Sequence, residues 1–325
     1  MSNSKLNLPE LTEDEEIMYD KKFNFMLEQD YDNHMNYDYF GDNYLRITFS
    51  ALQYFNEIEY SSDIKEICIR ELKEGNETNE IVMNNNPQVH KLVINIYKKK
   101  TIDIMMKNIN NDMLQKLFPN ITDLVIYIEL LDKIDYSYIC AIQNLTIIIN
   151  NKFKFSDMLC NNWRRLNQNM KCDIIYCINT AKGFNSHVMD KVITELNVTD
   201  AMDFPINIIV EFDESDISKI KSTMKYINSI NRFVKSLYIS TFLCDIDYEK
   251  GYEINISDFK YLESLVIRDE NGLSKIIIKN CLKLEQIIIN HEFENADLYL
   301  WNLPSLRHVD LLNDNFTIHN DDPDL

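Results

Sequence analysis

Glycine, proline and tryptophan are scarce in this chain, which has five glycines, six prolines and two tryptophans among 325 residues. The glycines stand singly, so neither G-x-G-x-x-G nor G-x-x-x-x-G-K-[S/T] occurs, and the usual phosphate-binding loops are missing. The G-x-S-x-G motif of serine hydrolases is missing as well. The sequence therefore contains no familiar loop for catalysis or for binding a cofactor.

Paired metal ligands are equally scarce. The seven cysteines include no C-x-x-C and no spacing typical of a disulfide framework, and the six histidines are scattered without H-E-x-x-H. We therefore expect no enzyme activity, no cofactor and no metal ion. We expect the cysteines to be reduced residues of the core or of strands.

Long apolar runs and positive charge are also lacking. No apolar run approaches the length of a membrane span, and the N-terminus is acidic where a signal peptide would be basic and then apolar. The net charge of -19 repels phosphate backbones and anionic lipids. We expect a cytoplasmic protein that is not secreted and binds neither nucleic acid nor membrane, with entry into the nucleus left open.

Short aliphatic stretches at a fixed spacing are abundant. In the last third of the chain an aliphatic residue recurs every eleven residues, and another follows each of them two positions later. The five pairs are Leu265 and Ile267, Ile276 and Ile278, Ile287 and Ile289, Leu298 and Leu300, and Val309 and Leu311. This two-residue period indicates strands with one buried face. The spacing predicts that successive strands lie on alternate sides of a core, with 22 residues in each complete unit.

A longer form of the motif, apolar-x-x-apolar-x-apolar, extends through most of the chain. Its eight copies span residues 64–69, 89–94, 121–126, 142–147, 234–239, 262–267, 284–289 and 306–311. Residues 172–177 and 205–210 are interpreted as degraded copies. Strands are predicted at all of these positions.

The longer motif resembles the opening of the leucine-rich repeat, L-x-x-L-x-L-x-x-N/C-x-L. CLKLEQIII and NLPSLRHVDL resemble its irregular, BspA-like branch. The position that carries Asn or Cys in the family has Asn in only one of eight copies, which departs from a continuous asparagine ladder. Its residues here are Leu72, Tyr97, Glu129, Asn150, Phe242, Glu270, Glu292 and Asp314.

The resemblance implies an α/β fold, a right-handed solenoid with a parallel sheet on one side and helices or short strands on the other. Helical spacing of apolar residues, with Ser caps or a terminal proline, predicts helices over 102–121, 156–168, 186–197 and 215–233. Short strands replace these helices in the final third.

Three segments are expected. Residues 1–60 lack the motif and are interpreted as an acidic helical cap or docking segment, in which the capping box of Thr12 and Glu15 opens a helix to about Gln29. Residues 61–318 form the repeat, and residues 319–325 form an acidic tail.

Side chains between the two strand anchors should line up on the outer face of the sheet. They are Cys68, Val93, Val125, Thr146, Tyr238, Val266, Ile288 and Asp310. This apolar stripe has polar borders, a composition typical of protein-binding surfaces, although strand propensity alone would also favour outward Val and Ile.

The function expected from the stripe is a non-catalytic protein-interaction module, a monomeric scaffold or adaptor. The candidate partner-binding residues are Tyr238, Val266, Arg268, Ile288, Asn290 and Asp310. The alternative is an F-box-like substrate-recruiting subunit of a ubiquitin ligase, with residues 1–60 docking the ligase.

Overall fold

The structure is a computed structural model of the whole chain. It describes residues 37–40, 44–48, 64–70, 86–96, 99–108, 111–131, 133–134, 138–139, 141–150, 171–180, 186–195, 206–212, 217–241, 251–269, 272–291, 296–311 and 316–320.

Strands dominate the described residues. They are β1 Tyr37–Phe40, β2 Tyr44–Thr48, β3 Glu66–Arg70, β4 Lys91–Asn95, β5 Asp123–Tyr127, β6 Asn144–Asn150, β7 Lys171–Asn179, β8 Ile206–Phe212, β9 Val234–Thr241, β10 Tyr252–Ser257, β11 Ser264–Asp269, β12 Leu273–Lys279, β13 Gln286–His291, β14 Ala296–Trp301, β15 His308–Leu311 and β16 Phe316–His319. The helices are α1 Lys99–Asn108, α2 Asn111–Leu117, α3 Ile128–Leu131, α4 Ser186–Glu195 and α5 Ile217–Ser229, with a 3-10 turn at Asn231–Phe233.

Two sheets contain all of these strands. The long sheet has twelve, in the order β1-β2-β3-β4-β5-β6-β7-β8-β9-β11-β13-β15, and the short sheet has four, in the order β10-β12-β14-β16. All neighbours are parallel except β1 and β2, which are antiparallel. The prediction of an α/β fold with a long parallel sheet is confirmed.

From β9 onward the chain alternates between the two sheets, as the eleven-residue spacing predicts. In the long sheet Leu265 lies opposite Ile287, which lies opposite Val309. In the short sheet Ile276 lies opposite Leu298. Each unit of 22 residues therefore adds one strand to each sheet in the same register.

One continuous core lies on the inner faces of both sheets. It contains the first and third isoleucines of both triplets, Ile276, Ile278, Ile287 and Ile289, which are fully buried. In the middle of the chain, helices supply the facing side chains. Three apolar residues of α5, for example, join the core at helical spacing: Ile220, Met224 and Ile227.

Three of the four predicted helices overlap the described residues. The region 102–121 overlaps α1, which begins earlier at Lys99, and contains α2; 186–197 contains α4, and 215–233 contains α5 and the 3-10 turn. Residues 156–168 lie outside the described residues.

The expectation of a helical cap is wrong where residues 1–60 are described. Residues 37–40 and 44–48 are strands, and β2 pairs in parallel with β3, so the long sheet begins before residue 61. Leu45 is fully buried and the next apolar residue, Ile47, is two positions on, which is the period of a strand. The helix expected from Thr12 to Gln29 lies outside the described residues.

An asparagine ladder occupies a position that the repeat motif does not indicate. Asp258, Asn280 and Asn302 follow β10, β12 and β14 directly, at intervals of 22 residues, and adopt left-handed φ angles of 62°, 56° and 52°. The side-chain amide of Asn280 donates to Asp258 Oδ1 over 2.9 Å, and that of Asn302 donates to Asn280 Oδ1 over 2.8 Å. The ladder thus joins three successive units at the end of the short sheet.

A buried carboxylate connects the two sheets. Asp269, at the end of β11, is 1% exposed and accepts hydrogen bonds from the hydroxyls of Thr241 on β9 and Tyr252 on β10. The backbone N–H of Leu273 on β12 donates to its other oxygen over 3.2 Å. Asp269 therefore contacts strands of both sheets through hydrogen bonds.

Candidate binding surface

The candidate surface is the outer face of the long sheet at strands β8, β9, β11, β13 and β15. Successive side chains of a strand point to opposite faces, so Tyr238 faces outward between the buried, inward Leu237 and Ile239. The strand register aligns Tyr238 with a row of outward residues. This Tyr238 row consists of Ile209, Tyr238, Val266, Ile288 and Asp310.

The sequence-based stripe is wrong between Thr146 and Tyr238, which do not share a row. Thr146 lies opposite Asp173, whereas the row of Tyr238 continues through Cys177 to Asn150. The two halves of the stripe are therefore offset by four residues. Strands β7 and β8 connect them without a clear copy of the motif, so the motif spacing could not reveal the offset.

The apolar residues of the outer face instead form a diagonal stripe. The outer cluster steps from Val125 to Tyr127 on β5, follows Ile148 and Ile175, and reaches Ile209 in the Tyr238 row. Its members are Cys68, Val93, Val125, Tyr127, Ile148, Ile175, Ile209, Tyr238 and Val266, with Ile288 packed against them. The outer face therefore carries a second apolar cluster, separate from the main core.

Most of this outer cluster is buried. Tyr238 is 3% exposed and Val266 is 5% exposed, although both face away from the main core. Ile288 is half-buried because burial decreases toward the last strands. The two predicted residues at the centre of the stripe are thus covered in this structure.

Four of the six predicted site residues remain accessible and form what we call the binding patch: Arg268, Ile288, Asn290 and Asp310. Arg268 is exposed and the other three are half-buried. Arg268 pairs with Asn290 across β11 and β13, and Ile288 pairs with Asp310 across β13 and β15. The guanidinium of Arg268 lies 5.8 Å from the centre of the Tyr238 ring, which is cation-π distance.

A polar row runs along one side of the Tyr238 row. This Ser264 row consists of Asn207, Ser236, Ser264, Gln286 and His308. Asn207 Oδ1, Ser264 Oγ and Gln286 Nε2 are buried, and among the described residues they have no hydrogen-bond partner. Buried polar atoms without partners lower the stability of the fold. A water or a ligand that forms hydrogen bonds with them would recover this free energy.

Asn207 was not identified from the sequence, whereas the other four members of the Ser264 row border the motif stripe. Asn207 stands in the apolar run PINIIV, where no motif fixes which residues share a row. A single amide within an apolar strand was the only available signal.

The titratable groups of the described residues are shifted mainly by burial. Burial and the Glu211 carboxylate raise the pKa of the Cys177 thiol, and burial raises the pKa of Cys281 to about 11 and that of Tyr138 to about 12. Such thiols stay protonated and are poor nucleophiles. Across the described ranges, no group of three or more His, Cys, Asp or Glu could hold a metal ion.

Among the described residues, Glu129 has the most strongly shifted carboxyl pKa. It lies on α3, its Oε2 is buried without a partner among the described residues, and burial raises its pKa from 4.5 to about 7. The folded chain therefore binds this proton more tightly than the unfolded chain does. Stability is lost as the pH rises from about 4.5 to about 7 and the buried carboxyl ionises.

We predict that Glu129→Gln raises the free energy of unfolding by about 2 kcal/mol above pH 7, since the amide cannot ionise. Below pH 4.5 the variant and the natural chain should have equal stability. Urea unfolding across this pH range measures the difference. Glu263→Gln, which changes a well-exposed carboxylate near Lys235, is the control and should leave the pH dependence unaltered; an equal effect from both variants would contradict the assignment to Glu129.

The chain matches no protein-family model, no curated protein and no solved structure. Every helix in the described part of the chain is too short or too polar to cross a bilayer.

Proposed function

We propose that the chain is a non-catalytic protein-interaction module, built as a right-handed solenoid of the irregular leucine-rich-repeat kind. The 22-residue units, which add one strand to each of two parallel sheets in constant register, support this architecture. The asparagine ladder and the turn hydrogen bonds, in which Glu285 N–H donates to Glu263 and Arg307 N–H donates to Glu285, repeat at the same interval.

The observation that carries the proposal is the binding patch itself. An accessible isoleucine, a cation, an amide and a carboxylate share neighbouring positions on three hydrogen-bonded strands, so their relative positions are fixed before binding. Protein interfaces typically combine apolar and arginine contacts with a polar rim. A protein partner would bury Ile288 and bond to Arg268, Asn290 and Asp310.

We place this activity in the cytoplasm. Cys172 and Cys281 are buried and form no disulfide, which agrees with a compartment that keeps thiols reduced. The alternative of a ubiquitin-ligase subunit depends on residues 1–60, where the structure describes only β1 and β2. Neither strand favours that alternative.

The test compares proteins that co-purify with the tagged chain and with an Ile288→Asp, Arg268→Glu variant from cells of its own source. We expect partner binding to weaken at least about tenfold, equivalent to about 1.4 kcal/mol, because the variant places carboxylates where an apolar group and a cation lie. Both proteins should unfold cooperatively, with a slightly lower melting temperature for the variant because Ile288→Asp places a carboxylate opposite Asp310.

A Leu282→Asp, Lys260→Glu variant is the matched control, since it makes the same chemical changes at exposed positions on turns outside the patch. Partners retained by the control and lost from the patch variant would support the proposal. Equal recovery of the same partners from all three proteins would refute the patch as the binding site.

A further inference from the structure

The exposed face of α5 is basic, although the chain as a whole is strongly acidic. Residues 217–244 contain five lysines and arginines and no aspartate or glutamate, whereas the chain has 52 acidic residues among 325 and a net charge of -19. The acidic residues that precede this stretch end at Asp216, before the helix begins. Three of the cations are exposed side chains along α5 and the 3-10 turn, and we call them the α5 ridge: Lys221, Lys225 and Arg232.

Packing of α5 against the core determines which face carries the ridge. Ile220, Met224 and Ile227 are buried in the main core, so the helix is anchored by one apolar face. Lys221 and Lys225 lie one helical turn apart on its exposed side. The α5 ridge therefore lies on the helix side of the long sheet, whereas the binding patch lies on the outer face of that sheet.

The cations of the α5 ridge are available to a ligand. Among the described residues, neither Lys221 nor Lys225 takes part in an ion pair. The Arg232 guanidinium lies 4.5 Å from the centre of the phenyl ring of the next residue, a contact that leaves its charge uncompensated. The Asp190 carboxylate on α4, which borders α5, accepts instead from the Tyr226 hydroxyl over 3.0 Å.

We propose that the α5 ridge binds an acidic peptide segment of a second protein partner. Carboxylates of such a segment would pair with three cations whose helix is fixed by the core. Because the ridge and the binding patch lie on opposite sides of the long sheet, one chain could hold two proteins at once, as a scaffold or adaptor does. The ridge does not depend on the binding patch for its chemistry.

The net charge of the chain favours a short acidic segment over a long polyanion. A nucleic acid or an anionic membrane extends past the ridge and is repelled by the overall charge of -19. A segment confined to the ridge interacts mainly with charges within about 8 Å at physiological ionic strength. The ridge should therefore select protein segments among anionic ligands.

The spacing of the cations fits an extended peptide. Lys221 and Arg232 are separated by about 16 Å along the chain axis, since a helix rises about 1.5 Å per residue. An extended peptide spans this distance with about five residues. Its alternate side chains lie about 6.6 Å apart on one side, close to the spacing of about 6 Å between residues one helical turn apart. The best ligand should therefore carry acidic residues at alternate positions.

The test is the fluorescence anisotropy of a labelled peptide of about ten alternating Glu and Ser residues, titrated with the full chain at about 0.15 M salt. We expect saturable binding that weakens as the salt concentration is raised, because the contacts are between charges. A short duplex DNA and vesicles of equal parts phosphatidylserine and phosphatidylcholine should bind more weakly than the peptide does.

Replacing the three ridge cations together by glutamine should weaken peptide binding about tenfold. The side chains are exposed, so thermal unfolding of this variant should remain cooperative. The matched control removes the same charge at three exposed lysines elsewhere and should change the affinity less than about twofold. It consists of Lys65→Gln, Lys107→Gln and Lys116→Gln.

Three results would overturn the proposal: no saturable peptide binding, an equal loss of binding in the control variant, or binding of the DNA or the vesicles as tight as that of the peptide. The Ile288→Asp, Arg268→Glu variant should bind the acidic peptide within about twofold of the natural chain, because the two sites are well separated. The α5 ridge and the proposed binding patch can thus fail separately.

Discussion

Replacing Asp269 by alanine is expected to lower the free energy of unfolding by about 3 to 5 kcal/mol. The carboxylate is buried and accepts from Thr241, Tyr252 and the backbone of Leu273. Its removal leaves the Thr241 hydroxyl and the Leu273 N–H without this acceptor, at about 1 to 3 kcal/mol each, whereas the Tyr252 hydroxyl still has Thr241 Oγ1 at 3.1 Å. The same donors offset the cost of burying the carboxylate. Burial is the main cause that raises the pKa of the Tyr252 hydroxyl, and the Asp269 carboxylate raises it further.

The measurement is urea unfolding of three proteins beside the natural chain. Tyr252→Phe removes one donor and leaves the carboxylate with two others, so it should cost about 1 to 2 kcal/mol. A chain with Thr241→Val, Tyr252→Phe and Asp269→Ala together should be more stable than the sum of its single changes indicates, because two of the three donors disappear with the acceptor. Strict additivity would show that these groups do not act as a unit.

The sequence indicates only part of this cluster. Asp269 and Thr241 each follow a copy of the motif by two residues and lie opposite each other in the long sheet, but Tyr252 belongs to no copy of the motif. Their contact depends on β9, β10 and β11 being placed in two sheets around one core. Side-chain hydrogen bonds between units follow from three-dimensional packing, which the apolar period alone does not specify.

The strands of the final third could be predicted because their core-facing aliphatic pairs recur at a fixed interval of eleven residues, although Val266 and Ile277 on the other face are buried as well. Residues 276–278 and 287–289 lie on opposite sheets at the predicted register, and the first and third residue of each triplet lie in the core. A slip of one residue would turn these apolar side chains outward, so the pattern fixes the register strongly.

Strands β7 and β8 could not be aligned because both of their faces are buried. Ile174, Ile175 and Tyr176 are all buried, so this stretch is a continuous apolar run rather than an alternating one. The period of two therefore disappears where the outer cluster crosses the sheet. The degraded motif and the wrong alignment of Thr146 with Tyr238 have this one physical cause.

The sequence predicted the face of the sheet on which the candidate side chains lie, but not how exposed each of them is. Alternation along a strand correctly indicates that Tyr238, Val266 and Ile288 face away from the main core. It cannot indicate that Tyr238 and Val266 are buried there while Ile288 is half-buried, because alternation gives the face on which a side chain lies and not its exposed fraction. The sequence thus located the row, and the structure selects its accessible end.

Asn280→Ala is expected to lower the free energy of unfolding by about 2 to 3 kcal/mol. Asn280 adopts a left-handed backbone with φ of 56°, which asparagine tolerates better than alanine does. Its side chain also donates to Asp258 and accepts from Asn302, and alanine removes both hydrogen bonds. The conformational cost and the lost bonds therefore add.

Asn280→Gly separates the two contributions. Glycine adopts the left-handed backbone without strain but has no side chain for the ladder, so it should be about 1 kcal/mol less destabilising than alanine. Asn231→Ala is the control for a lost hydrogen bond alone, because its amide donates to the Asp258 carbonyl over 3.0 Å and its φ is not left-handed. A glycine variant as unstable as the alanine variant would show that backbone conformation contributes nothing.

The ladder should act locally because each unit contacts mainly its neighbours. In a stacked chain, weakening one junction promotes opening of the units beyond it more than it promotes global unfolding. Hydrogen exchange in Asn280→Ala should therefore accelerate at the amides of β14 and β16, which lie beyond the altered junction in the short sheet, and remain unchanged at β3 to β6. Uniform acceleration across all of these strands would indicate that the chain unfolds as one cooperative body, in which case the ladder stabilises the whole fold and not a single junction.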